Sequence, residues 1–372
     1  MKTKLYLLFM VFTGISCFVA CKKMDGTYSQ YIVKGGIQYP GAAKTAVVRS
    51  GNKRAELVWV NSSDPKVIGA KVYWNNFRDS VTIPITANMD TIRYTFSNLA
   101  ENFYSFTIRT YDASGNKSVP VEVSGNVYGD SYQARILERP VSAAFLKTSD
   151  ALSITWNDAD TVTGAIKTEV EYTSTSGAVK TTIFPARQIV TEIADYQQGT
   201  TFKYRTIYRP DSLSIDDFYT GYITQTEISI DKKDWSLIAY SDQYSSGNEA
   251  AKNMIDGTPY TRWHTNGSDY PHSITVDMGV VRTIKRFSTL NSLYDGPGGD
   301  NRAPIKIQFL VSRDNVTWTS LGVFSSDNEM IAEQFYEMPA GATGRYFKLV
   351  GLEGPDGNSQ FMVLGEVSAY IF

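Results

Sequence analysis

"RAELVWV", residues 54–60, alternates polar and apolar side chains and carries a tryptophan near its end. Alternation is the period of an extended strand, whose successive side chains face opposite sides of a sheet. The pattern returns in "LSITWN" (152–157), where Trp156 follows Trp59 by 97 positions. Val72 and Val170 lie 98 positions apart, as do Phe106 and Tyr204. Each unit reads as a strand with a central tryptophan, a second strand ending in an aromatic, and a late strand rich in aromatics. "KVYW" (71–74), "YSFTIRTY" (104–111) and "FKYRTIY" (202–208) are examples of the latter two. A two-sheet sandwich needs bulky residues packing from one sheet to the other, so Trp59, Trp156 and Tyr104 are expected in its cores.

The rest of the chain agrees with an all-β fold. Its 24 tyrosines and 18 phenylalanines, with abundant Thr, Val and Ile, favour strands. No stretch sustains a helical period, and Gly, Asn, Asp and Ser clusters punctuate the alternation at short intervals. The net charge of -2 is mixed along the chain and offers no basic patch for phosphates, so no nucleic-acid partner is expected.

Lys2 and Lys4 precede an uncharged apolar run from Leu5 to Ala20, too short to span a bilayer and placed as a secretory signal. The run ends in "FVAC" (18–21), which resembles the lipobox of bacterial lipoproteins. That resemblance implies removal of residues 1–20, acyl chains on Cys21, and a tether over 21–28. Several chains hold a protein at a membrane where one would be marginal. An ordinary signal with an incidental cysteine is the alternative. Cys17 leaves with the signal, so no thiol remains for a disulfide or a zinc site. The expected location is the outer membrane or cell surface, with the periplasmic face as the alternative. The remaining length of about 350 residues suits two or three domains.

"SNLAENFYSFTIRTYDASGNKS" (97–118) resembles the fibronectin type III pattern of a Leu corner, a Tyr-rich strand and a Gly-containing turn. The second unit is similar but lacks the Leu in "YQQGTTFKYRTIYRPD" (196–211). Two fibronectin III-like sandwiches are therefore expected, at 29–130 and 137–229. "YIVKGGIQYPG" (31–41), "KVYWNN" (71–76) and "SIDDFYTGY" (214–222) resemble a family of Bacteroidota lipoproteins spanning most of 25–228. That resemblance implies exported proteins near glycan-use systems, and it supplies no catalytic residues.

From Trp235 the pattern changes. "WSLIAYSDQYSSGNEAAKNMIDGTPYTRWHT" (235–265) resembles the opening of the discoidin, or coagulation factor type C, domain. "HSITVDMGVVRTIKRF" (272–287), "IKIQFLVSRDNVTWTSLGVF" (305–324), "GRYFKLVGL" (344–352) and "GEVSAYIF" (365–372) follow in the family's order. The resemblance implies a jelly-roll β-sandwich over 232–372, with binding on loops at one end. Trp263 and Trp318 follow the family's packed positions and are expected in the core.

The same resemblance implies a structural calcium site. A hard cation takes six to eight oxygens, many from carbonyls held by a tight turn. Asp256 would supply a carboxylate, Thr261 a hydroxyl and a carbonyl, Asn253 and Thr258 carbonyls, and Glu366 would close the site from the last strand. Thr258 departs from the acidic residue common in relatives, which lowers the charge. An Asx-turn around Asp256 with no metal is the alternative.

His264 and His272 lack the third ligand of a zinc site, and no nucleophile elbow appears, so a non-catalytic protein is expected. Sugars need a flat aromatic and a few fixed hydrogen-bonding groups. The loops 261–272, 291–304 and 353–361 hold such groups in His264, Tyr270, Tyr294, Asp300, Asn301, Arg302, Asn358 and Phe361. Galactose-binding relatives carry an arginine earlier, where this chain has Asn291, Ser292 and Leu293; either Arg302 replaces it from farther along the loop or the specificity differs. The expected function is glycan capture at the cell envelope, with a protein partner in a glycan-uptake system. An adhesion or scaffold lipoprotein binding a protein or lipid is the alternative.

Overall fold

The computed structural model describes residues 29–32, 36–86, 88–357 and 360–372; the signal segment, Cys21 and Asn358 lie outside them. The chain is almost all β and divides into two compact units, meeting in sequence at Gly129 and Asp130.

In the first unit, seven strands follow one another: β1 (Lys44–Ser50), β2 (Arg54–Val60), β3 (Val67–Trp74), β4 (Asp79–Pro84), β5 (Thr91–Ser97), β6 (Asn102–Asp112) and β7 (Val121–Val127). They form a sheet in the order β1-β2-β5 and a second in the order β4-β3-β6-β7. Ala55, Leu57 and Trp59 are fully buried, on alternate positions of β2. They pack with Val72, Phe106 and Ile108 of the other sheet. Tyr104 is only half-buried and donates its hydroxyl to the Ala100 carbonyl at 3.2 Å.

The second unit opens with the same plan. Its strands are β8 (Val141–Leu146), β9 (Leu152–Trp156), β10 (Ala165–Thr173), β11 (Val179–Pro185), β12 (Val190–Ile193), β13 (Phe202–Tyr208), β14 (Phe218–Tyr219) and β15 (Ile223–Gln225). The order β12-β9-β8 faces β11-β10-β13, with β14 and β15 both pairing along β13. Trp156 and Val170 are buried, with the Tyr204 ring edge-on to Trp156 at 5.2 Å. The 97- and 98-residue spacings thus join equivalent strands, β2 with β9, β3 with β10 and β6 with β13.

A two-residue strand, β16 (Ser229–Ile230), leads onward into β17 (Ser236–Tyr240), β18 (Trp263–His264), β19 (His272–Thr283), β20 (Arg286–Leu290), β21 (Lys306–Ser312), β22 (Trp318–Ser325), β23 (Gln334–Glu337), β24 (Thr343–Glu353), β25 (Val363–Leu364) and β26 (Glu366–Tyr370). One sheet runs β17-β19-β24-β21-β22. The facing strands, β26-β20-β23, continue through β16 into β8-β9-β12 as one seven-stranded sheet. Between the faces Phe287 stacks on Phe309 at 4.5 Å, with Phe347 and Tyr336 around them.

β16 therefore welds the second sandwich to the third. It pairs parallel to β8 and antiparallel to β26, and buried Ile228 and Ile230 belong to a single apolar core that spans both. Arg282, almost fully buried, reaches from β19 to the Asp150 carboxylate and to the Lys147 carbonyl at 2.6 Å. Thr148 donates to Asp234 at 2.6 Å.

Trp263 is fully buried, as expected, but Trp318 is not. β22 is the edge of its sheet with only Leu321 buried, and the half-exposed Trp318 ring lies under the Lys348 ammonium at 4.7 Å. The sequence pattern marks a strand face there, but no second layer covers it.

Candidate functional site

The short ribbon of β18 and β25 brings distant loops together. His264 pairs with Val363 across it, while Trp263 turns inward and donates its indole N–H to the Asp242 carbonyl at 2.9 Å. Thr265 exchanges hydrogen bonds with Met362, and the Val363 N–H reaches the Arg302 carbonyl at 3.2 Å. The 261–272, 300–304 and 360–364 segments are thereby fixed against each other by backbone contacts.

Arg302 is the polar centre of this convergence. Its Nε donates to Asp300 Oδ1 at 2.9 Å and its Nη2 to Oδ2 at 2.6 Å, a bidentate fork. Its Nη1 lies 2.8 Å from His264 Nε2. Since His264 Nδ1 faces the Thr265 carbonyl at 2.6 Å, the network assigns the proton to Nδ1 and makes Nε2 the acceptor. Three of the guanidinium's five N–H groups are so engaged, and two remain on a side chain that is 36% exposed.

Asp300 is buried and also receives Arg262 Nη1 at 3.1 Å. Burial alone would raise its carboxyl, but the Arg302 hydrogen bonds outweigh that and hold it below the ordinary range. Arg262 is itself held by Glu249 at 2.5 Å and by Asp295, beneath the exposed Tyr294 ring at 4.5 Å. This second arginine anchors the platform from below.

Aromatic rings flank the buried His264. Tyr244, 63% exposed, lies 5.2 Å away, and half-buried Phe361 lies edge-on at 5.7 Å. Phe361 sits over Gly267, whose φ of +91° no side chain would favour and whose added Cβ would meet the ring at 3.0 Å. An aromatic flank beside spare guanidinium donors can hold a polyol by ring-face contact and directed hydrogen bonds.

Of the expected contacts, His264, Asp300, Arg302 and Phe361 converge, and Tyr294 lies at their rim over Arg262. His264 has both ring nitrogens occupied, so it orients Arg302 and does not offer a free nitrogen. Tyr270 is directed elsewhere: its hydroxyl donates to the Phe361 carbonyl at 3.1 Å, and burial pushes the phenol up. Asn301 opens on a different hollow with Asn291, Asn328 and Ile331. Asn358 lies outside the described residues. Fully buried His272 clasps Asp242 and the Gln360 carbonyl at 2.8 Å. Tyr244, Arg262 and Glu249 were not among the expected residues; Tyr244 alone had a signal, an aromatic within the polar run "SDQYSSGN" (241–248).

The five residues expected around calcium lie together, joined by hydrogen bonds. Glu366 Oε1 accepts from the Gly257 and Thr258 N–H groups, the latter at 2.9 Å, and its Oε2 meets the Lys232 ammonium. Asp256 accepts Thr258 N–H at 3.1 Å and the Thr261 hydroxyl at 2.6 Å. The Asn253 amide donates to the Gly247 and Arg262 carbonyls, and its own carbonyl accepts Asp256 N–H. Burial and the neighbouring Asp256 push the Glu366 carboxyl up to about 7, against the pull of Lys232. N–H, O–H and ammonium groups are thus directed at the oxygens that a hard cation would take. Among the described residues no group of three or more His, Cys, Asp or Glu is placed to hold a metal.

Residues 21–218 match the DUF4998 family, described as a domain of unknown function. Residues 236–364 match the F5/8 type C domain, so the C-terminal sandwich is a discoidin domain. A sialidase of Micromonospora viridifaciens is 27% identical over 143 residues, 37% of this chain and only 20% of that enzyme. The C-terminal domain of a chitobiase from Bacteroides fragilis is 30% identical (38% of this chain, 95% of that one, TM-score 0.33). A family 32 carbohydrate-binding module from Clostridium perfringens, in complex with galactose, is 21% identical (38% and 97%, TM-score 0.33).

Proposed function

We propose that this chain, which belongs to the DUF4998 family, captures glycans without cleaving them, through the discoidin-domain face built by Arg302, Phe361 and Tyr244. One observation carries the reading: Arg302 is locked by Asp300 and His264 with two N–H groups outside those bonds, and the Tyr244 and Phe361 rings flank the same His264. A preorganised fork loses little freedom on meeting vicinal hydroxyls, and the rings supply the apolar face that a pyranose needs. The charged rim of Asp295 and Arg302 supports a polar ligand over a lipid surface. In this reading the acyl chains on Cys21 hold the protein at the outer membrane or cell surface, where it works beside a protein partner of a glycan-uptake system. Among the described residues no helix is long and apolar enough to cross a membrane.

The test is a glycan array of the full chain, repeated with Arg302→Ala and Phe361→Ala. Retained glycans that both variants release support the proposal. Capture of a protein or of lipid vesicles with no glycan retained overturns it. Metabolic labelling with palmitate, lost in Cys21→Ala, tests the anchor separately.

A further inference from the structure

We infer that the 256–261 turn is fastened by an internal ammonium, Lys232, in the place where a divalent cation would otherwise bridge the turn to the last strand. Lys232 and Glu366 are 134 residues apart in sequence, yet their charged groups meet directly. Both are shielded, Glu366 almost wholly. A buried carboxylate must be compensated by charge and hydrogen bonds, and Lys232 and the two turn N–H groups are the partners turned on Glu366. A bound divalent ion would have to displace this ammonium, or share two carboxylates with it and leave the site net positive. Thr258, lacking a third carboxylate, makes that balance worse.

The position of Lys232 is set from outside the discoidin sandwich. It lies in a single 3-10 turn, Lys232–Asp234, capped by the Asp231 side chain on the Lys233 N–H at 3.0 Å. That turn follows β16 directly, and Asp234 is held by Thr148 of the second sandwich. The joint therefore supplies the cation that holds the turn, and the turn leads straight into Arg262, Trp263 and His264. Order in the candidate binding face is coupled to docking of the second sandwich, where a metal would have made it depend on calcium. This inference does not depend on what the face binds.

The test uses the full chain with CaCl2 or chelator, followed by calorimetry and by titration with Ca2+. Unchanged melting of the wild type between millimolar calcium and chelator, with no binding isotherm, supports the inference; a calcium-dependent rise or a measurable isotherm overturns it. Lys232→Met keeps the aliphatic stem but removes the charge, and should melt several degrees lower. Lys232→Arg should remain close to wild type. A Lys232→Met chain as stable as wild type also overturns the inference. Should that variant fail to fold, the wild-type calcium titration decides alone.

Discussion

Replacing Asp300 by Asn tests the platform beneath the candidate face most directly. The carboxylate accepts two bonds from the Arg302 guanidinium, one from the Arg302 backbone at 3.0 Å and one from Arg262 at 3.1 Å. An asparagine keeps one acceptor oxygen and turns an NH2 group toward a guanidinium, so at least two charge-assisted bonds are lost. Each is worth about 1.5–3 kcal/mol. Arg262 retains Glu249 and Asp295, and Arg302 can turn partly to water, so the net cost should be about 2–4 kcal/mol. For a unit of this size that is a fall in melting temperature of roughly 5–15 °C. Calorimetry of wild type, Asp300→Asn, Arg302→Ala and the double variant should yield a coupling energy of about 1.5–3 kcal/mol between the pair. Coupling below about 0.5 kcal/mol would refute the idea that Asp300 orients Arg302.

Three further outcomes are expected. Trp59→Ala should destabilise the first unit by about 3–5 kcal/mol while leaving ligand retention by the discoidin domain intact, checked by the glycan array after a melt that resolves the two units. Arg282→Ala should lower the stability of the second unit by about 1–3 kcal/mol, and limited proteolysis should begin near Lys147–Asp150, where its partners lie. Asp300 and Asp277 are held below their ordinary values by arginines, so their contribution is present above about pH 4 and lost as pH falls through the folded values. Melting temperature should therefore drop between about pH 5 and about pH 3, and a flat profile there would count against both pairs.

The strands were legible because alternation and burial share one period, as the burial of Ala55, Leu57 and Trp59 on β2 illustrates. Trp318 shows where that logic stops: the period marks a strand, but whether a layer covers its face depends on position in the sheet. β16 is two residues long and has no period to read, so the joint it makes was invisible. Arg302, Asp300 and His264 could be named individually as polar residues in loops, yet their roles come from backbone contacts between segments up to about a hundred residues apart. Lys232 gave no sign at all, because its partner is set by the docking of two domains.

The shared sheet also dictates where the chain can be divided. Removing everything before Trp235 would strip β16 from β26 and free the backbone groups at Tyr370 and Ile371 that it and Ile228 had paired. The complementary piece would keep β16 on β8 and expose the side of β16 that had met β26. Open edges of this kind are templates for pairing between copies. A well-behaved fragment of the discoidin domain should therefore begin upstream of Ile228, whose carbonyl accepts the Ile371 N–H at 3.0 Å, so that it carries its own edge cover.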